Sequence, residues 1–521
     1  MLAIEHFERG AERFPDRVVV TDAHDATRSV TYREMRQLSD QTARALIAAG
    51  VAPDDPVAIL SPNHPMVLTC QYGIVRAGAV WTPCNYRNTA PDNARQLAAY
   101  GARWLFFHSS LAGQAAAIRA EVPSIRGAVC LDAPSEHGPE LRAWIAGASE
   151  NIAFPVRKMT DPVVILSSSG TTGEPKGAVQ NHYAWEALVA SYATELAHFD
   201  EPPVHLIVAP LTHAAGVTHW AFLPRGATNV LLSSADPDAI LQAIERHKAS
   251  LLFLPPTVIY MLLAHPNLKK YDYSSLRYFL YGAAPMSVDK LKEAVAAFGP
   301  VMTQNYGQTE ALMMMTILRP EDHTEILADA KLAHRIASAG RAGPYARVAI
   351  MDDDGNFVPT GERGEIVFQS ALVLAGYYRN PQASAEVSRG GWHHSGDIGY
   401  LDADGYLYIV DRKRDLIISG GFNVFPGEVE QAVLAHPMVQ DCAVVGVPHD
   451  KWGEMVLAAV ELKPGVSFDP EELIVFCKER LGSVKAPKQI EVWETLPRST
   501  VGKTLRRVVR EKYWVGRDRK I

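Results

Sequence analysis

Residues 161–179, DPVVILSSSGTTGEPKGAV, decide how the rest of the chain is read. The run opens as a buried strand, Pro162 to Leu166, then turns into serines, threonines and glycines around a single lysine, Lys176. Glycine permits positive φ and close backbone approach, while the hydroxyls and Lys176 supply donors, so the loop suits a polyanion. A P-loop is excluded, because that motif needs Gly-Lys-Ser/Thr running into a helix, whereas Pro175 precedes Lys176 and Gly177 follows it. Apolar residues resume near Val179 and a helical pattern starts only near Tyr183, so the loop is expected to join two strands. Taken alone it also fits an ordinary Gly/Ser surface loop, and the surrounding chain has to decide.

Upstream, apolar runs at Val18 to Thr21, Pro56 to Leu60, Ala79 to Thr82, Trp104 to Phe107 and Gly127 to Leu131 alternate with helical patterns such as Tyr32 to Ala49 and Val67 to Ala77. Downstream the cycle continues at Val204 to Ala209, Asn229 to Leu232, Leu251 to Leu254 and Tyr278 to Tyr281. Strands alternating with helices predict an α/β body of layered subdomains. After about Arg335 the pattern changes to hairpins punctuated by Asp-Asp-Gly and Thr-Gly-Glu-Arg-Gly, which predicts a small β-barrel subdomain or sheet. The last hundred or so residues read as strand, helix, strand, strand, helix, a small α+β domain. The boundary is set in the charged run DRKRD at 411–415, giving 1–411 as the N-terminal domain, 412–414 as a hinge and 415–521 as the C-terminal domain.

The chain has 521 residues, too many for one core, and about three or four compact units are expected. A net charge of -7 gives no basic field for nucleic acid. Five dispersed cysteines without a CxxC pair fit a reducing cytoplasm, not a disulfide framework or zinc cage. The first residues lack a signal-peptide pattern, and no apolar run is long enough for an integral membrane segment.

Further stretches carry chemistry-bearing residues. Asn305-Tyr306-Gly307-Gln308-Thr309-Glu310 combines an aromatic for stacking, a glycine, a hydroxyl and a carboxylate able to hold a divalent cation. In Trp392-His393-His394-Ser395-Gly396-Asp397 the adjacent histidines point to different sides of an extended chain, which disfavours a metal pair. Asp402, Asp404 and Gly405 form a plain turn, since Lys413 stands where a calcium loop needs its glutamate. Residues 418–428, ISGGFNVFPGE, and 497–503, PRSTVGK, read by themselves as a turn with a helix start and as a solvated basic segment.

In this order, SSSGTTGEPKG, YGQTE, SGD, the SGGF run and PRSTVGK resemble the signatures of the adenylate-forming superfamily of acyl-CoA synthetases, peptide-synthetase adenylation domains and beetle luciferases. The resemblance covers most of the chain. It implies a nucleotide site made by Ser167, Ser168, Ser169, Gly170, Thr171, Thr172, Gly173 and Lys176, with Gly282, Ala283 and Ala284 beside adenine and the acyl group. Asn305 and Gly307 would belong to the same site, Tyr306 would lie against adenine, Thr309 at the α-phosphate, and Glu310 on Mg2+. Asp397 would accept the ribose hydroxyls and Arg412 would contact ribose and phosphate. Arg414 stands at the hinge position, where many members carry Asp or Lys. Gly420, Gly421, Phe422 and Trp452 would border the pantetheine arm of coenzyme A, and Lys503 would be the catalytic lysine of the first step. His213, Trp220, Gly282 and Met313 are the acyl-pocket candidates, favouring a hydrophobic fatty or aromatic carboxylic acid. The implied reaction uses ATP, Mg2+ and coenzyme A to make an acyl-adenylate and then an acyl-CoA. The alternatives are a stand-alone adenylation enzyme loading an acyl carrier protein and a non-catalytic nucleotide-binding homologue. A homodimer is left open.

Overall fold

The strand expected at Pro162 to Leu166 runs Pro162–Ser168 and pairs antiparallel with Lys176–Asn181, setting Ile165 opposite Val179 and Ser168 opposite Lys176. The Gly-rich loop therefore connects two neighbouring strands, and helix His182–Glu195 follows. The computed structural model describes residues 1–168, 176–199, 201–213, 215–284, 286–466, 468–498 and 504–515. Contacts divide the chain into two compact units. The first is Met1–Ala283, Lys292–Val348 and Phe368–His393; the second is Ala284–Leu291, Ala349–Val367 and His394–Ile521.

Two mostly parallel sheets form the first unit. A seven-stranded sheet runs Gly376–Tyr377, Lys176–Asn181, Pro162–Ser168, Val80–Cys84, Pro56–Leu60, Trp104–Phe107, Gly127–Cys130. A nine-stranded sheet runs Arg341–Ala342, Thr316–Leu318, Met302–Tyr306, Tyr278–Tyr281, Leu251–Leu254, Val204–Ile207, Thr228–Leu231, Val18–Asp22, Val30–Thr31. Its six inner strands are parallel, and each of the two central strands Leu251–Leu254 and Tyr278–Tyr281 is buried at every position. Such strands read as continuous apolar runs because both faces are covered by helices. Helix Tyr32–Ala48 shows how local sequence fixes the ends: Thr31 and Glu34 form a reciprocal capping box, and Gly50 follows with φ 81°. Trp81, Trp185, Trp220, Tyr32 and Tyr72 are among the largest fully buried side chains.

The expected small barrel or sheet is a five-stranded sheet ordered Ala346–Met351, Gly364–Ser370, Trp392–Leu401, Ser388–Arg389, with Leu407–Arg412 also pairing to Trp392–Leu401. In the C-terminal part the order is richer than strand, helix, strand, strand, helix. A tight hairpin, Ile417–Ser419 with Phe422–Val424, precedes helix Pro426–Leu434, and Gln489–Val492 adds a parallel strand beside Gly453–Leu462. Those short strands hide in the sequence because a Gly-Gly turn and an exposed edge interrupt the apolar pattern. The fold is thus a large α/β N-terminal domain followed by a small α+β C-terminal domain. No helix among the described residues is long and apolar enough to cross a membrane.

Candidate active site

In open α/β sheets, ligand-binding residues gather beyond the carboxyl ends of parallel strands. Within the first unit, Ser167 and Ser168 close the strand that feeds the Gly-rich loop, Gly282 and Ala283 follow Tyr278–Tyr281, and Asn305 and Tyr306 end Met302–Tyr306. Gly282 lies so close to the next strand that a Cβ there would sit 2.6 Å from the Asn305 carbonyl oxygen. Ala283, a non-glycine residue, takes φ 66°, a strained value of the kind concentrated at functional sites. Asn305 donates from Nδ2 to the Tyr192 hydroxyl at 3.3 Å, and that hydroxyl contacts Met313 Sδ at 4.0 Å. Asn305 therefore touches Gly282 through its backbone and Tyr192 through its side chain, and Tyr192 in turn touches Met313. Tyr306 stands tilted against Phe368, with ring centroids 5.7 Å apart.

Trp220 is packed in the core, edge-on to Tyr72 at 4.8 Å and to Trp185 at 6.1 Å. His213 is exposed, with its backbone N–H donating to the Pro210 carbonyl at 2.9 Å.

The Tyr306–Glu310 segment is fastened on two sides, to the Gly-rich hairpin and to the stretch leading into the edge strand Gly376–Tyr377. Buried Gln180 donates to the Thr309 carbonyl at 3.1 Å, and the Leu374 N–H donates to the Glu310 carbonyl at 2.7 Å. Tyr377, on the strand beside Lys176–Asn181, donates its hydroxyl to Glu310 Oε1 at 2.8 Å, and Lys176 Nζ stands 5.4 Å over its ring. Burial, together with the Glu310 charge, holds the Tyr377 phenol well above its ordinary range, so it stays protonated and donating. No motif in the sequence flagged Tyr377 or Gln180. The signal for Tyr377 is slight: an aromatic after Gly376 in a two-residue edge strand.

Tyr377→Phe deletes a bond to a charged acceptor, which is worth about 1.5–3 kcal/mol. We expect a roughly tenfold rise in the Mg2+-ATP concentration needed for half-maximal pyrophosphate exchange, with an unchanged melting temperature. An unaltered Mg2+-ATP dependence would show that the bond does not orient Glu310.

In the second unit, Asp397 and Arg412 face each other across a hairpin, Oδ1 to Nε 3.2 Å apart. The Asp397 side chain is buried, and its N–H donates to Ser395 Oγ, which in turn donates to the Ile366 carbonyl at 2.6 Å. His394 pairs with Glu365 at 3.2 Å, and among the described residues no group of three or more His, Cys, Asp or Glu is placed to hold a metal. Asp402 accepts the Asp404 and Tyr406 N–H groups, the plain turn expected there.

Gly420 and Gly421 form the turn of the 417–424 hairpin with φ 59° and 83°, and Phe422 is exposed beside them. The Gly420 N–H donates to the Trp452 carbonyl at 2.8 Å, and the Trp452 indole stacks on His449 at 4.4 Å. Arg414 is exposed in the short 3-10 turn Lys413–Asp415 that follows the hairpin strand. Ser169, Gly170, Thr171, Thr172, Gly173 and Lys503 lie outside the described residues. The residues flanking Lys503 are pinned: Arg498 pairs with Asp441 at 2.6 Å and Glu461 at 2.9 Å, and Thr504 donates to Asp441 at 3.1 Å.

The residues fit the groups the motifs imply. Glu310 offers a single hard carboxylate, held by the Tyr377 hydroxyl, a donor suited to Mg2+ shared with phosphates rather than caged by protein. Lys176 adds a point charge for phosphate.

A model of AMP-binding enzymes matches residues 7–378, and a model of the AMP-binding enzyme C-terminal domain matches residues 428–503. The feruloyl-CoA synthase of Amycolatopsis sp is 37% identical over 493 residues, covering 93% of this chain and 94% of that protein. The medium/long-chain-fatty-acid--CoA ligase FadD8 of Mycobacterium tuberculosis is 34% identical over 511 residues, 93% of this chain and 86% of that protein. Among solved structures, the amide bond synthetase McbA from Marinactinospora thermotolerans aligns with a TM-score of 0.87 at 32% identity, covering 98% of this chain and 100% of that one. With its Gly-rich hairpin, its YGQTE segment and its paired Asp397 and Arg412 on a fold so closely shared, the chain belongs to the adenylate-forming superfamily of AMP-binding enzymes.

Proposed function

We propose that the chain is an ATP-dependent carboxylic acid–CoA ligase acting on a hydrophobic fatty or aromatic acid. The observation that carries the reading is the joining of Lys176, Thr309 and Glu310 through Tyr377 and Gln180, at strand ends beside Gly282 and Asn305. Two related enzymes of feruloyl and fatty-acyl chemistry support the acid class, as does the contact of Met313 with Tyr192 next to Asn305.

On this reading a carboxylate oxygen of the acid attacks the α-phosphorus of ATP. The bond to the β-phosphate oxygen breaks and pyrophosphate leaves. The step brings two anions together, so this chain's own work is electrostatic and positional. Lys176 and the hydroxyl loop hold the β- and γ-phosphates, Thr309 orients the α-phosphate, Asp397 and Arg412 hold ribose, and Lys503 steadies charge on the transferred group. Mg2+ bound at Glu310 supplies charge neutralisation. In the second step the thiol sulfur of coenzyme A attacks the acyl carbonyl, AMP leaves, and the thiol proton passes to solvent. Gly420, Gly421, Phe422 and Trp452 border that thiol's approach.

The domains are 1–411 and 415–521, joined by a 412–414 hinge about which the smaller one turns to replace Lys503 by Gly420-Gly421. The test is a panel of acids from acetate to long-chain and aromatic, assayed for pyrophosphate exchange and for thioester formation with coenzyme A. Exchange with no member of the panel overturns the reading, and thioester formation on a phosphopantetheinyl carrier protein but not on coenzyme A reassigns the acceptor. Cytoplasmic residence is an expectation of the same reading, checked by fractionation, and light scattering decides between a monomer and a homodimer.

Gly420→Val places a side chain at a left-handed φ, with its Cβ 3.5 Å from the Trp452 ring. The strain costs about 1–3 kcal/mol, and thioester formation from supplied acyl-adenylate is expected to fall about tenfold or more with exchange nearly unchanged. A fall in exchange of the same size would remove Gly420 from the second step.

A further inference from the structure

Asp411 is the last residue before the proposed hinge, and its side chain is only 2% exposed. Its carboxylate accepts from two groups that lie beyond the hinge. Arg506 Nη1 reaches Oδ1 at 2.6 Å, and the backbone N–H of Gly427, at the start of helix Pro426–Leu434, donates to Oδ2. Arg506 is itself clasped on its own side of the hinge by Glu430, through Nε at 2.7 Å and through Nη2, and it lies 3.6 Å from Asp415. Glu430 also accepts the Val444 N–H at 2.9 Å, which fixes it against the central hairpin of the small domain. A second contact crosses the hinge in the same sense: Arg363 lies over the Phe425 ring at 5.3 Å. Burial alone would push the Arg506 guanidinium down, but the Glu430 and Asp411 carboxylates beside it more than offset this, so the guanidinium stays protonated.

The Asp411 carboxylate is buried and its arginine partner half-buried, so the pair holds position strongly: removing the arginine leaves the buried carboxylate charge uncompensated. Asp411 cannot keep both Arg506 and the Gly427 N–H if the segment 415–521 turns about residues 412–414. Arg506 also stands three positions after Lys503 in the chain, so holding Arg506 to Asp411 limits how far the lysine's backbone can travel.

We propose that Asp411 and Arg506 form a latch across the hinge, and that its breaking and remaking sets the balance between the two half-reactions. Arg506 and Asp411 are positioning residues: they act by holding one domain arrangement against the other. The inference rests on the two-step ligase reading and adds to it the device that divides the enzyme's time between steps.

The test uses the full chain carrying Asp411→Asn, which keeps an oxygen for the Gly427 N–H and removes the charge, with Arg506→Gln as the second variant. Pyrophosphate exchange and thioester formation from supplied acyl-adenylate are measured separately, together with the rate of tryptic cleavage at the exposed Lys413 and Arg414. The latch predicts that the ratio of the two half-reaction rates shifts by about tenfold or more, one rising as the other falls, and that hinge cleavage accelerates by a similar factor. Arg498→Gln, which loosens the same lysine segment from carboxylates on its own side of the hinge, should leave hinge cleavage unchanged. Equal losses in both half-reactions, an unshifted ratio, or equal acceleration of cleavage by Arg498→Gln would overturn the latch. If the unaltered enzyme shows neither half-reaction with any acid, it is the ligase reading that fails, and the cleavage rates still report on the latch.

Discussion

Lys503→Ala should abolish acid-dependent exchange between ATP and pyrophosphate while leaving thioester formation from supplied acyl-adenylate close to the unaltered rate. The expected loss in the first reaction is about 10²- to 10³-fold, the scale of removing one preorganised electrostatic partner of a developing charge. The reason for the asymmetry is chemical. Adenylation gathers charge on the α-phosphate and the departing pyrophosphate, whereas attack of a thiol on a mixed anhydride needs no added cation at phosphorus. The residues on either side, Arg498, Thr504 and Arg506, are held by their own partners, which the substitution leaves in place. Equal loss of both reactions would count against a small domain that serves the two steps in turn.

Glu310→Gln is the second large effect. It preserves the shape of the side chain and its capacity to accept from Tyr377, but removes the hard anionic oxygen that suits Mg2+. Adenylation is expected to fall about 10²- to 10³-fold, with the residual rate rising as Mg2+ is raised and thioester formation little affected. A residual rate indifferent to Mg2+ would show that Glu310 acts on the nucleotide by another route. Comparing Glu310→Gln with Tyr377→Phe separates the charge itself from the bond that aims it.

Much of this arrangement is legible in the sequence, and the reason differs from segment to segment. Parallel strands buried on both faces announce themselves as apolar runs, so Pro56–Leu60, Trp104–Phe107, Leu251–Leu254 and Tyr278–Tyr281 are read within a residue or so of their ends. The strand-to-strand nature of the Gly-rich loop is also legible, because Pro175 and Gly177 rule out a helix directly after Lys176. Asp397 and Arg412 could be nominated one by one, and their direct opposition follows from the hairpin register.

What the sequence withholds are partnerships between residues far apart in the chain that belong to no motif. Tyr377 meets Glu310 across 67 positions, and Arg506 meets Asp411 across 95. Both depend on which edges the sheets and helices bring together, a property of topology that no local pattern encodes. The charged run at 411–415 illustrates this: read locally it is a domain boundary of alternating charge, yet its first aspartate is among the most deeply buried carboxylates of the second unit.

All five cysteines are free and buried. Burial pushes the Cys84 thiol up to about 12 and Cys477 to about 11, and raises Cys70, Cys130 and Cys442 as well. Since the thiolate is the reactive form, the folded protein is nearly silent toward disulfide and maleimide reagents. A colorimetric thiol reagent added to a reaction mixture therefore counts free coenzyme A against almost no protein background, giving a direct readout of the second step. The same silence means that one cysteine introduced on each side of residues 412–414 would take up a pair of fluorescent dyes selectively, turning the motion of the small domain into an optical signal.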